Sequence, residues 1–139
     1  MKLTIIKNGL LLGLAVLIAT FTINFVTIYI FPEIQTIYET PEIFRGPDDP
    51  LLMIYMVFPF SLGLALAWIW ERIKQEFSGT VGKIAWDFSL VFLLVVGMPS
   101  FFIQFGSFNL PLTMMISWLL TSYVNGFIAG LILGKLSPP

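Results

Sequence analysis

From Asn8 to Phe31 the chain runs for 24 residues without one charged side chain. At 1.5 Å rise per residue a helix of that length covers about 36 Å, enough to cross a bilayer core of about 30 Å with some tilt. Three further runs of the same kind follow: Leu51 to Trp70, Ile84 to Phe105 with a single charge at Asp87, and Leu112 to Gly134. Residues are 58% hydrophobic and 11% charged over 139 positions. A water-soluble domain carries roughly 25% charged residues. The apolar surplus must therefore face lipid. The expected fold is all-α: one polytopic domain over 1–139, a four-transmembrane-helix bundle with spans at about 8–31, 51–70, 84–105 and 112–134.

The segments between the spans set orientation. Residues 32–50 hold five of the eight acids and four of the nine prolines, but one base, Arg45. Residues 71–83 form a polar connector with Arg72, Lys74 and Lys83, and Gly106 to Pro111 is a tight uncharged turn. With both termini cytoplasmic, Lys2, Lys7, Arg72, Lys74, Lys83 and Lys135 lie inside and Arg45 alone lies outside, six bases against one. Cytoplasmic loops are the Lys/Arg-rich ones, so the expected arrangement is N-in/C-in in the plasma membrane, with 32–50 as an outer loop. Trp68, Trp70 and Trp86 then fall at the inner interface as an aromatic belt. The basic start followed by an apolar run also suits a signal peptide. An h-region is only about 7–15 residues, however, and no clear A-x-A site follows, so the first span is read as retained.

Composition also excludes chemistry. The chain has no cysteine and no histidine, which removes thiol nucleophiles, disulfides and the commonest general base and metal ligand. A formal charge of −1 offers no basic surface for nucleic acid. No G-x-S-x-G, phosphate loop or metal-ligand cluster occurs. No catalytic residue, cofactor or resident metal is expected, and the chain is not read as an enzyme.

Helices associate in lipid through close backbone approach and polar contacts. The fourth span carries a stripe at four-residue spacing, Ser122, Gly126, Gly130 and Gly134, a GxxxG pattern. Gly9 and Gly13 serve the first span, and Gly63 serves the second beside Ser61. These stripes are expected to pack the bundle internally, with a homodimer face on the fourth span as the alternative. The polar residues placed inside the membrane are Asn24, Ser61, Asp87, Ser100 and Asn125. Pro59 and Pro99 each free the carbonyl four residues back, at Tyr55 and Val95. By depth, Asn24 matches Tyr55 and Asn125 matches Val95, so each asparagine is expected to satisfy that carbonyl. Asp87 follows Lys83 by one turn near a helix start, where the dipole and the ammonium favour it structurally. Small multidrug exporters share the length and span count, but carry their coupling acid in the first helix, where this chain has none.

In the outer loop, Asp48 or Asp49 is expected to cap the second span, whose first turn tolerates Pro50. Glu42, Arg45, Asp48 and Asp49 are the candidate outer-face binding residues, with Arg45 paired to Glu42 or Asp48. Glu39 and Glu42 suit one face of a short helix beginning at Thr40-Pro41-Glu42. Ile34, Ile37 and Tyr38 share a face that could lie on the membrane surface.

The order of these features, from Phe44-Arg-Gly-Pro-Asp-Asp-Pro50 through Leu62-Gly-Leu-Ala-Leu-Ala-Trp-Ile-Trp70 to Gly126-Phe-Ile-Ala-Gly-Leu-Ile-Leu-Gly-Lys135, is similar to small four-span prokaryotic membrane proteins grouped as families of unknown function. The resemblance implies a four-helix architecture and no functional residue. Its expected partners are the lipid bilayer and, in a non-enzymatic packing or accessory role, a second copy or another membrane protein. The alternative is a homodimeric small-solute or ion transporter using Asn24, Ser61, Ser100 and Asn125.

Overall fold

The computed structural model describes residues 3–139; Lys2, counted above for orientation, lies outside them. Most of the described residues are helical, and none of them lies in a strand. Four helical stretches are long and apolar enough to cross a membrane: Leu3–Ile30, Pro50–Glu76, Val81–Ser107 and Leu112–Leu136. The first and last are single helices, α1 (Leu3–Ile30) and α6 (Leu112–Leu136). A short α2 (Glu33–Tyr38) follows α1. The second span opens as a 3₁₀ stretch, Pro50–Met56, and continues as α3 (Phe58–Ile73). The third is α4 (Val81–Phe92), a π turn at Leu93–Gly97, and α5 (Met98–Ser107).

Both middle spans depart from α geometry next to a proline, and the reason is local. Proline has no N–H and its ring crowds the preceding turn. Pro59 is preceded by tightened 3₁₀ backbone, and Pro99 by a π turn that shifts the bonding from four residues to five, so that the Met98 N–H reaches the Leu93 carbonyl. Such π bulges are a recognised way for a helix to absorb a local misfit.

Glycines decide which helices meet. A Cβ added at Gly63 would lie 2.3 Å from the Gly9 carbonyl oxygen and 2.5 Å from the Gly13 amide nitrogen, so α3 touches α1 backbone to backbone. A Cβ at Gly130 would lie 2.6 Å from the Ala85 Cα, and one at Gly126 3.0 Å from the Ser89 Cα, so α6 seats on α4 in the same way. Close backbone approach increases van der Waals contact, which drives helix pairing where lipid competes for every apolar surface. Two antiparallel pairs result, α1 with α3 and α4 with α6, and α1 against α6 joins them.

The core sits at the end of the bundle that holds both chain ends. Leu12, Val16, Ala129 and Leu133 are all buried between α1 and α6 there. Trp70, Phe77 and Phe88 close the same end as a triangle of rings with centroids 5.4 to 5.7 Å apart, tying α3 and the connector to α4. Trp70 is completely buried, so it belongs to the core and not to an aromatic belt. Trp68 and Trp86 are exposed as a belt requires, and the Arg72 guanidinium lies 3.4 Å from the centre of the Trp68 ring. At the opposite, loop end the second span is only thinly covered. Leu51 through Phe58 are all exposed.

Candidate functional site

The loop between the first two spans puts its charge into local structure. Asp49 accepts from the Leu51 N–H at 2.8 Å and caps the second span, while its other oxygen takes the Arg45 guanidinium at 2.7 Å. Arg45 thus pairs with Asp49, not with Glu42 or Asp48. The register is physical: Asp49 sits four residues on, its side chain already held toward the helix start. The Arg45 bond first, and the Leu51 N–H after it, hold the Asp49 carboxyl below the ordinary carboxylate range. Glu42 and Asp48 are exposed and make no ion pair. The short helix falls on Glu33–Tyr38, and Thr40-Pro41-Glu42 lies in turns. Glu39 accepts from Gln35 at 2.9 Å. Among the described residues no three His, Cys, Asp or Glu gather as a metal site would need.

That loop also folds back on the bundle. Ile34 is completely buried, so α2 packs against protein instead of lying on a membrane surface. The Trp118 indole N–H donates to the Tyr38 hydroxyl at 3.0 Å, and the Phe44 ring meets Trp118 edge-on at 6.5 Å. Burial pushes the Tyr38 phenol up, against the opposing pull of the Trp118 N–H. Trp118 went unread in the sequence. Its signal was available, since a partly buried indole N–H needs an acceptor.

Inside the membrane-spanning region the polar residues separate. Asn125 is buried at 4% exposure, and its Nδ2 donates to Thr20 Oγ1 on α1 at 3.2 Å. Its amide therefore does not serve the Val95 carbonyl: α6 turns Asn125 toward α1, whereas the π turn containing Val95 faces outward with that side chain 68% exposed. Asn24 is half-buried without a side-chain hydrogen bond. The Tyr55 it was matched to lies in the thinly covered part of the second span. Ser61 is exposed, and Ser100 is half-buried on α5 without a side-chain hydrogen bond. Ser61 and Ser100 thus lie on different spans from Asn24 and Asn125 and share no bond with them. Asp87 pairs closely with Lys83 one turn earlier. Gly97 approaches α6 as well, since its Cβ would come within 3.2 Å of the Ser122 Cβ.

A second network at the terminal end was also missed. The Trp70 indole N–H donates to the Ser137 carbonyl at 2.8 Å, and Lys74 Nζ donates to the Ser137 hydroxyl at 2.8 Å. That hydroxyl in turn donates to the Glu71 carboxylate, which pairs with Lys74. The C-terminal tail is thereby pinned to α3. In the sequence, Ser137 is the one polar residue of a short Leu-Ser-Pro-Pro tail, with nothing to mark its partner.

No protein-family model matches the chain, and no curated protein or solved structure matches it either.

Proposed function

We propose that the chain is a non-enzymatic membrane module that associates, in the plane of the bilayer, with a second copy or another membrane protein through the loop end of its second span. One observation supports this reading. Leu51 through Phe58 are eight consecutive exposed residues, and eight residues at about three per turn cover every direction around the axis. A helix on the rim of a bundle normally keeps one face on its neighbours. This half-span is only thinly covered, with residues 42–70% exposed, while its glycine-bearing half at the other end is locked to α1. Association in lipid depends on packing, and Met53 and Met56 among apolar neighbours supply an adaptable surface for it. The glycines of the fourth span are occupied by α4, so they are not the surface offered outward. Orientation follows from charge: among the described residues the end with both termini carries every lysine and arginine except Arg45, which favours cytoplasmic termini and a multi-pass plasma-membrane protein.

The test is site-specific photo-crosslinking in native membranes, with the probe at Tyr55 and, for comparison, at Leu14, which is also exposed. Tyr55 should yield discrete protein adducts and Leu14 lipid adducts only. Lipid adducts alone at both positions would overturn the reading.

A further inference from the structure

The charge-free run of the first span begins at Asn8, and Lys7 is the last charge before it. A groove of about 720 Å³ straddles that boundary on α1, and Leu136 of α6 also lines it. The volume falls within the range of about 300–1,000 Å³ common for small-ligand sites. Thr4, Lys7 and Asn8 line the groove toward the chain end, and Leu10, Leu11 and Leu14 line it further in. From Lys7 to Leu14 the helix rises about 10 Å. The groove is therefore polar at the membrane boundary and apolar beyond it. Its three inner leucines are exposed, so it opens sideways to lipid.

Two of its polar groups lack a partner. Asn8 is 8% exposed and makes no side-chain hydrogen bond among the described residues. Among those residues, the side-chain atoms sealed from solvent without a partner are Tyr123 Oη and Asn125 Oδ1. Asn8 is not one of them, so a guest in the groove can reach its amide. Lys7 is exposed and has no ion pair among the described residues, and no carboxylate lines the groove. Buried polar side chains are almost always hydrogen-bonded, and an ammonium at the edge of hydrocarbon calls for a counter-charge. An anion with several acceptor oxygens answers both, because lysine offers three donors and the asparagine amide two.

We infer that this groove binds one anionic phospholipid, with its phosphate at Lys7 and Asn8 and one acyl chain along Leu10, Leu11 and Leu14. Polarity along α1 runs in the same order as polarity along a lipid, headgroup outward and chain inward. The lysine stem can follow the groove while its ammonium reaches the interface. A zwitterionic lipid fits less well: its own headgroup cation competes with Lys7 for the phosphate and meets no carboxylate here. A water-soluble phosphate would use the polar end and leave the leucines uncovered. The inference does not rest on the association reading, whose surface, Leu51 to Phe58, lies on another span at the other end of the bundle.

The full chain, in phosphatidylcholine nanodiscs, is titrated with phosphatidylglycerol that carries a photoreactive diazirine in one acyl chain, and the adducts are mapped by peptide. The expected result is a saturable adduct within Leu10 to Leu14, displaced by unlabelled phosphatidylglycerol but not by glycerol 3-phosphate. Lys7→Gln should raise the half-saturating lipid fraction at least about fivefold, the scale of one lysine contact to anionic lipid, and Lys7→Arg should hold it near the natural value. Lys83→Gln removes the same charge at the same end of the bundle and should change nothing. Asn8→Leu should also weaken binding; should that buried change prevent folding, the exposed Lys7→Gln carries the comparison alone. Adducts spread over every lipid-facing helix without saturation, an equal shift from Lys7→Gln and Lys83→Gln, or displacement by glycerol 3-phosphate would each overturn the inference.

Discussion

Asp49 shows how a single side chain can be read from sequence and still be read incompletely. A carboxylate one residue before a proline-led helix announces a cap, and the cap is there. Its guanidinium partner was harder, because three carboxylates lay within reach of Arg45 and only the folded turn selects Asp49. The cap has a pH signature. The folded-state carboxyl is held below its ordinary value, so its contribution is fully present above about pH 4 and is lost as pH falls through the lowered folded value. In detergent, the thermal midpoint of the natural chain should fall below about pH 4 more steeply than that of Asp49→Asn, which keeps a capping oxygen but does not titrate. Trp70 is the opposite case. Its position near a span end suggested a belt residue, but size and apolarity alone cannot say whether an indole faces lipid or core. The acceptor on Ser137 decides it. Trp70→Phe preserves the ring triangle and removes that bond, and should cost about 1 kcal/mol of stability in a reversible unfolding assay.

At the scale of elements, the glycines were legible and their partners were not. A small-residue stripe says that a backbone comes close; it does not name the helix that comes. Gly63 inserts between Gly9 and Gly13, so Gly63→Ala must force α1 and α3 apart. Alanine's intrinsic helix gain is about 1 kcal/mol, and overpacking typically costs about 1–3 kcal/mol. With the nearest atom being unyielding backbone, the loss should win, by about 2 kcal/mol. Gly106→Ala is the control: nothing lies within 4 Å of its added Cβ, so stability should stay level or rise. Prolines were legible in the same partial way. Pro59 and Pro99 announced irregular backbone, but the expected remedy was an asparagine on another helix. The chain uses 3₁₀ and π turns within the same span, a local solution that hydropathy and depth cannot reveal.

The molecule as a whole was the most legible level, because twenty-residue apolar runs have few alternatives in folding space. Four spans follow from hydropathy alone. What hydropathy could not supply was that the charged loop folds back on the bundle, with Ile34 buried and Tyr38 and Phe44 against Trp118 of α6, since such residues look equally suited to a membrane surface. Nor could it say whether the stripe on the fourth span closes this bundle or joins two copies. In the fold it closes the bundle, with Gly134 against Ile84, and the proposed association surface lies elsewhere for that reason. The most direct test is a double variant, Ile84→Cys with Gly134→Cys. An ideal Cβ at 134 lies 3.9 Å from the Ile84 Cβ, close to the mean of about 3.8 Å found across disulfides. Oxidised in membranes and run without reductant, the protein should form the bond within one chain and migrate as a monomer, with no cross-linking between two differently tagged copies. Disulfide-linked pairs of tagged copies, in place of the intrachain bond, would contradict the account.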